Sequence, residues 1–145
     1  MGRIQKNIPA FSKGMMKKLH PPWPTGSLKP LPAKNIDYAL LLDMVGDKDL
    51  HLTMEQNSLN QSRQITKGIW QRAHSLGLSA FQDGRGPSVL DDHMPIQSKG
   101  VPAIDIIDFE YPPWHTMGDT PDKCSAYSLG MVGRLVASLA FRGLP

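Results

Sequence analysis

Two short runs of unbroken apolar residues constrain the fold most. The first is Tyr38-Ala39-Leu40-Leu41-Leu42, closed by Asp43 just ahead of Gly46. The second lies in Gly100-Val101-Pro102-Ala103-Ile104-Asp105-Ile106-Ile107-Asp108, where Asp105 is the interruption. Apolar residues without alternation fit strands covered on both faces, as in a parallel sheet between helices. Ligands of open α/β sheets gather beyond the carboxyl ends of strands, so Asp43 either serves chemistry there or caps the turn that follows. Asp105, inside its run, is an acid that needs a partner.

Helical signals surround these runs. Ser58-Leu59-Asn60-Gln61 resembles a capping box, and the spacing of Ile65, Ile69, Ala73 and Leu76 predicts a helix from Asn60 to Leu76 with Trp70 in the core and Gly77 as its stop. Ser125 caps a second helix reaching Arg142, with Leu129, Val132, Leu135, Val136 and Leu139 turned to the sheet. Leu50 to Met54 alternates as a short edge strand, with His51 solvated and His74 on the outer face of the first helix. Phe81 to Pro87 reads as a turn, because its glycines lack the strand–turn–helix setting of a phosphate loop.

The ionisable residues fall in two further clusters. Asp91-Asp92-His93 puts adjacent carboxyls together, so either one of them stays protonated near neutrality or one simply caps a turn. Tyr111-Pro112-Pro113-Trp114-His115-Thr116-Met117-Gly118-Asp119 is a proline-stiffened loop that presents one imidazole, with Asp119 placed to orient either the loop or the ring nitrogen that does not face the site. His115 in this setting is either a metal ligand or a hydrogen-bonded structural residue.

Charge and composition exclude several classes. The chain has 145 residues, one domain's worth. No apolar run approaches the roughly 18–20 residues needed to span a bilayer. Nothing after Met1 forms an apolar signal region, so no secretory signal is expected in this chain, and the compartment stays open. The single Cys124 excludes an internal disulfide and a cysteine-rich zinc site. Residues before Ile36 carry seven Lys and Arg and no acid, so with +3 overall the remainder stands at −4. Those lysines are dispersed among prolines, with no aromatic platform beside them. They read as a solvated, poorly ordered arm (residues 1–35, with at most a short helix over Phe11–Leu19), not as a nucleic-acid surface.

Taken in order, Leu42-Asp43-Met44-Val45-Gly46, Asp91-Asp92-His93-Met94-Pro95, Gly100-Val101-Pro102-Ala103 and Trp114-His115-Thr116 with Asp119-Thr120 resemble the C-terminal half of the zinc exopeptidases of metallopeptidase family 28. That family includes leucine-type aminopeptidases and glutaminyl-peptide cyclotransferases. The resemblance runs over residues 36–142 and implies a three-layer α/β/α fold on a mainly parallel mixed sheet, incomplete here. It implies zinc as cofactor and a peptide N-terminus as substrate. In the aminopeptidase branch the residues matching Asp43 and His115 bind the metals. In the cyclotransferase branch the match to His115 still binds zinc, while the match to Asp43 joins the match to Asp91 in an acid network that relays the proton of the substrate amine. Asp-Asp-His and Trp114 look like the cyclotransferases, with Trp114 and Tyr111 bordering the substrate pocket and Asp92, Asp105 and Asp119 behind the site. Asp105 departs from the animal cyclotransferases, which have histidine about there.

Most of the family's donors have no match. His20, His51, His74, His93 and His115 are followed two places on by Pro, Thr, Leu, Pro and Met, so His-x-Asp is absent. Glu55 and Glu110 are the only glutamates, so there is no Glu-Glu pair. The expectation is a fragment, truncated gene model or degenerate paralogue equal to about half of the family's domain. It would be inactive alone and inclined to associate through an exposed sheet edge at Leu40 to Leu42.

Overall fold

The computed structural model describes residues 36–145. The basic arm and the short helix expected over Phe11–Leu19 lie outside the described residues. The elements run β1 (Ala39–Asp43), β2 (Leu52–Met54), α1 (Gln56–Ser75), β3 (Phe81–Arg85), α2 (His93–Gln97), β4 (Ala103–Ile107), a 3₁₀ turn (Pro121–Lys123) and α3 (Ala126–Arg142). This is the expected α/β class. β1 pairs with β4 in parallel, from Ala39↔Ala103 to Asp43↔Ile107, and β2 pairs with β3 in parallel, from Leu52↔Phe81 to Met54↔Arg85. Both strands of the first pair therefore end at one rim.

β4 is buried along its whole length. Successive side chains of a strand point to opposite faces. Ile104 and Ile106 accordingly enter the core with Leu52, Phe81, Ile69, Trp70, Ala73, Met131, Val132, Leu135 and Leu139. Asp105, between them, is also fully buried but meets His93 instead. The Trp70 ring stands edge-on to Phe81 at 5.4 Å, and its Nε1–H donates to the Gln82 carbonyl at 3.0 Å.

Four expectations are corrected. β1 is only half-buried, and Leu42 is 41% exposed, because β4 is its one strand partner among the described residues. The segment after Phe81 is a strand, not a turn: its sequence is weakly apolar, but pairing with β2 supplies the ladder, and Gly84 takes φ 144 beside the register shift. α1 begins at Gln56, four residues early, because the Glu55 carboxylate accepts from the Asn57 and Ser58 amides and fills the cap itself. Leu129 is 50% exposed, because α3 turns Ser128, Met131, Val132, Leu135 and Leu139 inward instead.

The remaining helix features follow local rules. α1 bends at Ser62 (φ −138, ψ 44), where the Thr66 hydroxyl lies within bonding distance of the Ser58 and Ser62 carbonyls. It ends at Gly77, whose φ of 67 lets its own amide and that of Leu78 bond back to His74 and Ala73. Ser125 caps α3 by accepting from Tyr127 and Ser128. His51 and His74 are exposed as expected, and Trp70 is core.

If β4 is the centre and β1 the rim, Ile106→Ala should cost about 2–5 kcal/mol, whereas Leu42→Ala should cost well under half of that. Urea unfolding of the two variants measures the contrast. Equal losses would place the core elsewhere.

Candidate functional site

Asp43 is the last residue of β1, and Met44 just after it takes φ 50, a left-handed bend that turns the chain away at once. The Asp43 carboxyl lies beside that of Asp91, which arrives from the turn before α2. Two carboxyls so placed each make the other harder to ionise. Burial pushes Asp43 above the ordinary carboxylate range, and the neighbouring Asp91 carboxyl pushes it further. The Met44 amide opposes the shift, and the Asp92 charge adds to it. Asp92 itself is exposed and makes no side-chain cap to α2, while its amide donates to Asp91 Oδ1 at 2.7 Å.

Behind this pair lies a second cluster. His93 is wholly buried, with Nε2 3.5 Å from Glu55 Oε2 and Nδ1 3.5 Å from Asp105 Oδ2. Burial drives Asp105 up to about 8, with the negative charges of Asp91, Glu55 and Asp43 acting in the same direction. Near neutrality Asp105 therefore holds its proton and faces the imidazole as an acid. Glu55 accepts from the Asn57, Ser58 and Val89 amides and from the Ser58 hydroxyl at 2.6–3.0 Å, the donor set of an ionised carboxylate. The Asp105 amide closes the ring by donating to Ser58 Oγ at 3.0 Å. Asp105 and His93 face one another at 3.5 Å, but neither Asp105 carboxyl oxygen nor either His93 ring nitrogen makes a hydrogen bond.

The loop after β4 leaves the same rim. Asp108 ties its start to β2 by accepting from the His51 amide at 3.1 Å, and burial raises it above the ordinary range. Trp114 is 41% exposed, stacks on His115 at 4.3 Å and 26°, and leans on Phe109 at 5.3 Å. His115 takes φ 58, so its exposed ring is aimed by a left-handed backbone. Asp119 does not orient that ring: its Oδ1 accepts from the Tyr111 hydroxyl at 2.8 Å, which makes it a brace across the loop. Desolvation and the Asp119 carboxylate push Tyr111 up to about 12. A small cavity of about 80 Å³ opens beside this loop, lined by His51, Thr53, Gln82, Ile107, Phe109 and Glu110 among others.

The residues present do not fit a zinc ion. Among the described residues no three of His, Cys, Asp and Glu converge as a ligand set. His115 stacks on Trp114 with no carboxylate beside it. Sequence reading brought Asp43, Asp91 and Asp105 into view but missed Glu55, His93 and Asp108. Their one signal was the presence of charged or polar types beside apolar strand residues.

A model described as peptidase family M28 matches residues 15–140. The match starts inside the arm, earlier than the residues 36–142 expected from the four motifs. The chain is 28% identical over 112 residues to the glutaminyl-peptide cyclotransferase-like protein of Bos taurus, covering 70% of this chain and 29% of that one. It is 28% identical over 127 residues to the glutaminyl-peptide cyclotransferase of Boiga irregularis, with 79% and 34% covered. The chain thus spans about a third of the length of these relatives. Its fold superimposes on the Bacteroides thetaiotaomicron leucine aminopeptidase precursor with a TM-score of 0.73 at 31% identity, over 77% of this chain and 40% of that one. For the Fimbriiglobus ruber glutaminyl cyclase the TM-score is 0.66 at 37% identity, over 68% and 34%.

Because folded Asp105 binds its proton far more tightly than an unfolded aspartate, the stability it contributes is complete below about 3.8 and is lost as pH climbs through about 8. The slope in that window should approach about 1.4 kcal/mol per pH unit. Asp105→Asn should flatten it and leave the variant more stable than the parent at pH 9. Denaturant midpoints across pH measure this, and an unchanged slope would assign the titration to another group.

Proposed function

The chain belongs to peptidase family M28, and from that premise we propose that it supplies the acid pair and aromatic wall of a glutaminyl-cyclase-like site. In this reading it lacks, by itself, the donors for a catalytic zinc. The observation that carries the reading is the placement of the Asp91 carboxyl beside Asp43 at the rim where β1 ends, with the affinity of Asp43 for a proton raised. A carboxyl with a raised affinity for a proton can take one up and return it without moving any heavy atom far. In the cyclisation of an N-terminal glutamine, the amine nitrogen attacks the side-chain amide carbon, a C–N bond forms and ammonia leaves. The proton lost by the amine is the one ammonia needs, and Asp91 with Asp43 carries it. Trp114 offers an exposed ring against which the substrate side chain packs, and Tyr111, braced by Asp119, borders the same loop.

His115 and Asp43 are the matches to family zinc ligands, but a catalytic zinc takes three protein ligands. With no His-x-Asp and no Glu-Glu in these 145 residues, zinc and turnover require donors from outside them. A second reading is a non-catalytic module that pairs with a chain carrying those donors, or with itself. It draws on the half-buried β1, whose outer edge has no strand partner among the described residues. No helix among the described residues is long and apolar enough to cross a membrane.

Purified chain incubated with zinc should bind it substoichiometrically and should neither cyclise an N-terminal glutamine nor hydrolyse an amino-acid anilide above background. Stoichiometric zinc with turnover would refute the proposed inactivity. Independently, Asp91→Ala should move the Asp43 titration down towards the ordinary carboxylate range, leaving only the part due to burial. Carboxyl ¹³C shifts followed against pH read it directly, and no movement would mean the pair does not form in solution.

A further inference from the structure

Asp91 stands in a turn of three residues, Leu90 to Asp92, and Leu90 is 71% exposed. Such a turn has little packing of its own to fix a carboxyl. Its two flanks are held firmly. On the leading side, the Val89 amide donates to Glu55 Oε1 at 3.0 Å and the Val89 carbonyl accepts from Asn57 Nδ2 at 2.8 Å. The Gln56 amide donates to the Pro87 carbonyl at 3.1 Å, so the approach is zipped along the start of α1. On the trailing side, His93 is sunk between Glu55 and Asp105 with no exposed surface.

Both flanks thus converge on one carboxylate that is itself 1% exposed. Capping α1 needs only the bonds to Asn57 and Ser58. The bond to Val89 and the approach to His93 do nothing for the helix, and an apolar residue at position 93 would avoid the cost of burying an imidazole between two acids. A shared anchor on either side of Asp91 does explain them.

We propose that Glu55 and His93 are positioning residues that clamp the Leu90–Asp92 turn from both sides and so hold the Asp91 carboxyl against Asp43. The proposal rests on the reading of Asp91 as a proton carrier for its purpose, but not for its test. Neither residue touches substrate in this scheme. Glu55→Gln keeps one oxygen to accept from the Ser58 amide and loses Oε1, the acceptor that Val89 shares with Asn57. His93→Gln keeps a polar side chain and loses the bridge.

The measurement is made on the 145-residue chain by NMR, with Ile69→Ala, a buried α1 residue remote from the turn, as a control for general destabilisation. Three-bond couplings report whether Asp91 keeps one χ1 rotamer, and amide exchange reports the Val89 bond. Glu55→Gln should speed Val89 exchange about tenfold relative to the body of α1. Glu55→Gln and His93→Gln should both average the Asp91 rotamer, while Ile69→Ala leaves rotamer and relative exchange unchanged. Asn57→Ala removes the bonds to the Val89 carbonyl and from the Ser88 hydroxyl and leaves both buried groups in place. As the milder variant it must loosen Asp91 in the same direction, which keeps the test open if the buried variants do not fold. A single Asp91 rotamer in the clamp variants, or equal averaging in Ile69→Ala, would overturn the clamp. Failure of the proton-carrier reading would look different: Asp91 stays fixed, yet replacing it leaves the turnover of a zinc-complete assembly unchanged.

Discussion

The parallel pairing of β1 with β4 is the constraint from which the rest follows. Parallel strands finish on the same side, so Asp43 at the end of one and the Asp108–Asp119 loop at the end of the other emerge together. An antiparallel pairing would put them at opposite ends of the sheet and leave no common rim. The register does further work: Leu41 lies opposite Asp105, which sets that buried acid two residues back from the rim and within the electrostatic reach of Asp43 and Asp91.

Four carboxyls in so small a volume are possible because they are unequally provided with donors. Glu55 has four N–H and O–H groups aimed at it. Asp105 has none of that kind and keeps its proton instead. Asp43, half-buried beside Asp91, lies between these extremes and binds a proton more tightly than an ordinary carboxylate. Proximity to Asp91 and Glu55 raises Asp105, and Asp105 in its neutral form spares the rim pair a further negative neighbour. Stability and chemistry are coupled here through one set of protons.

What the sequence made legible was what local chemistry determines. The apolar runs at Leu40 and Ile104, the serine before α3 and the glycine after α1 each act through their nearest neighbours. The failures are all tertiary. Phe81-Gln82-Asp83-Gly84-Arg85 has one large apolar residue, and only the adjacent β2 ladder makes it a strand. A helix capped by glutamate was overlooked in favour of the commoner serine pattern, because the fourth donor to Glu55 comes from Val89, 34 residues along. On α3 the expectation failed at Leu129 alone: Val132, Leu135 and Leu139 are buried as read, and Met131 joins them in the core. At the site, the types and order of residues were readable, but which acid meets which required the fold: Asp119 went to Tyr111, and Asp105 faces His93, which the sequence placed only beside the Asp91-Asp92 pair.

The parallel stack of Trp114 on His115 has a consequence of its own. An imidazole lying flat on an indole changes the electronic surroundings of that indole whenever it gains a proton or gives its lone pair to a cation, since positive charge is drawn to the ring face. Trp70, by contrast, is sealed in the core with its N–H already bound. Light emitted by Trp114 is therefore an internal gauge of what His115 is holding, and the chain carries its own optical sensor at the one histidine the family would ask to hold a metal.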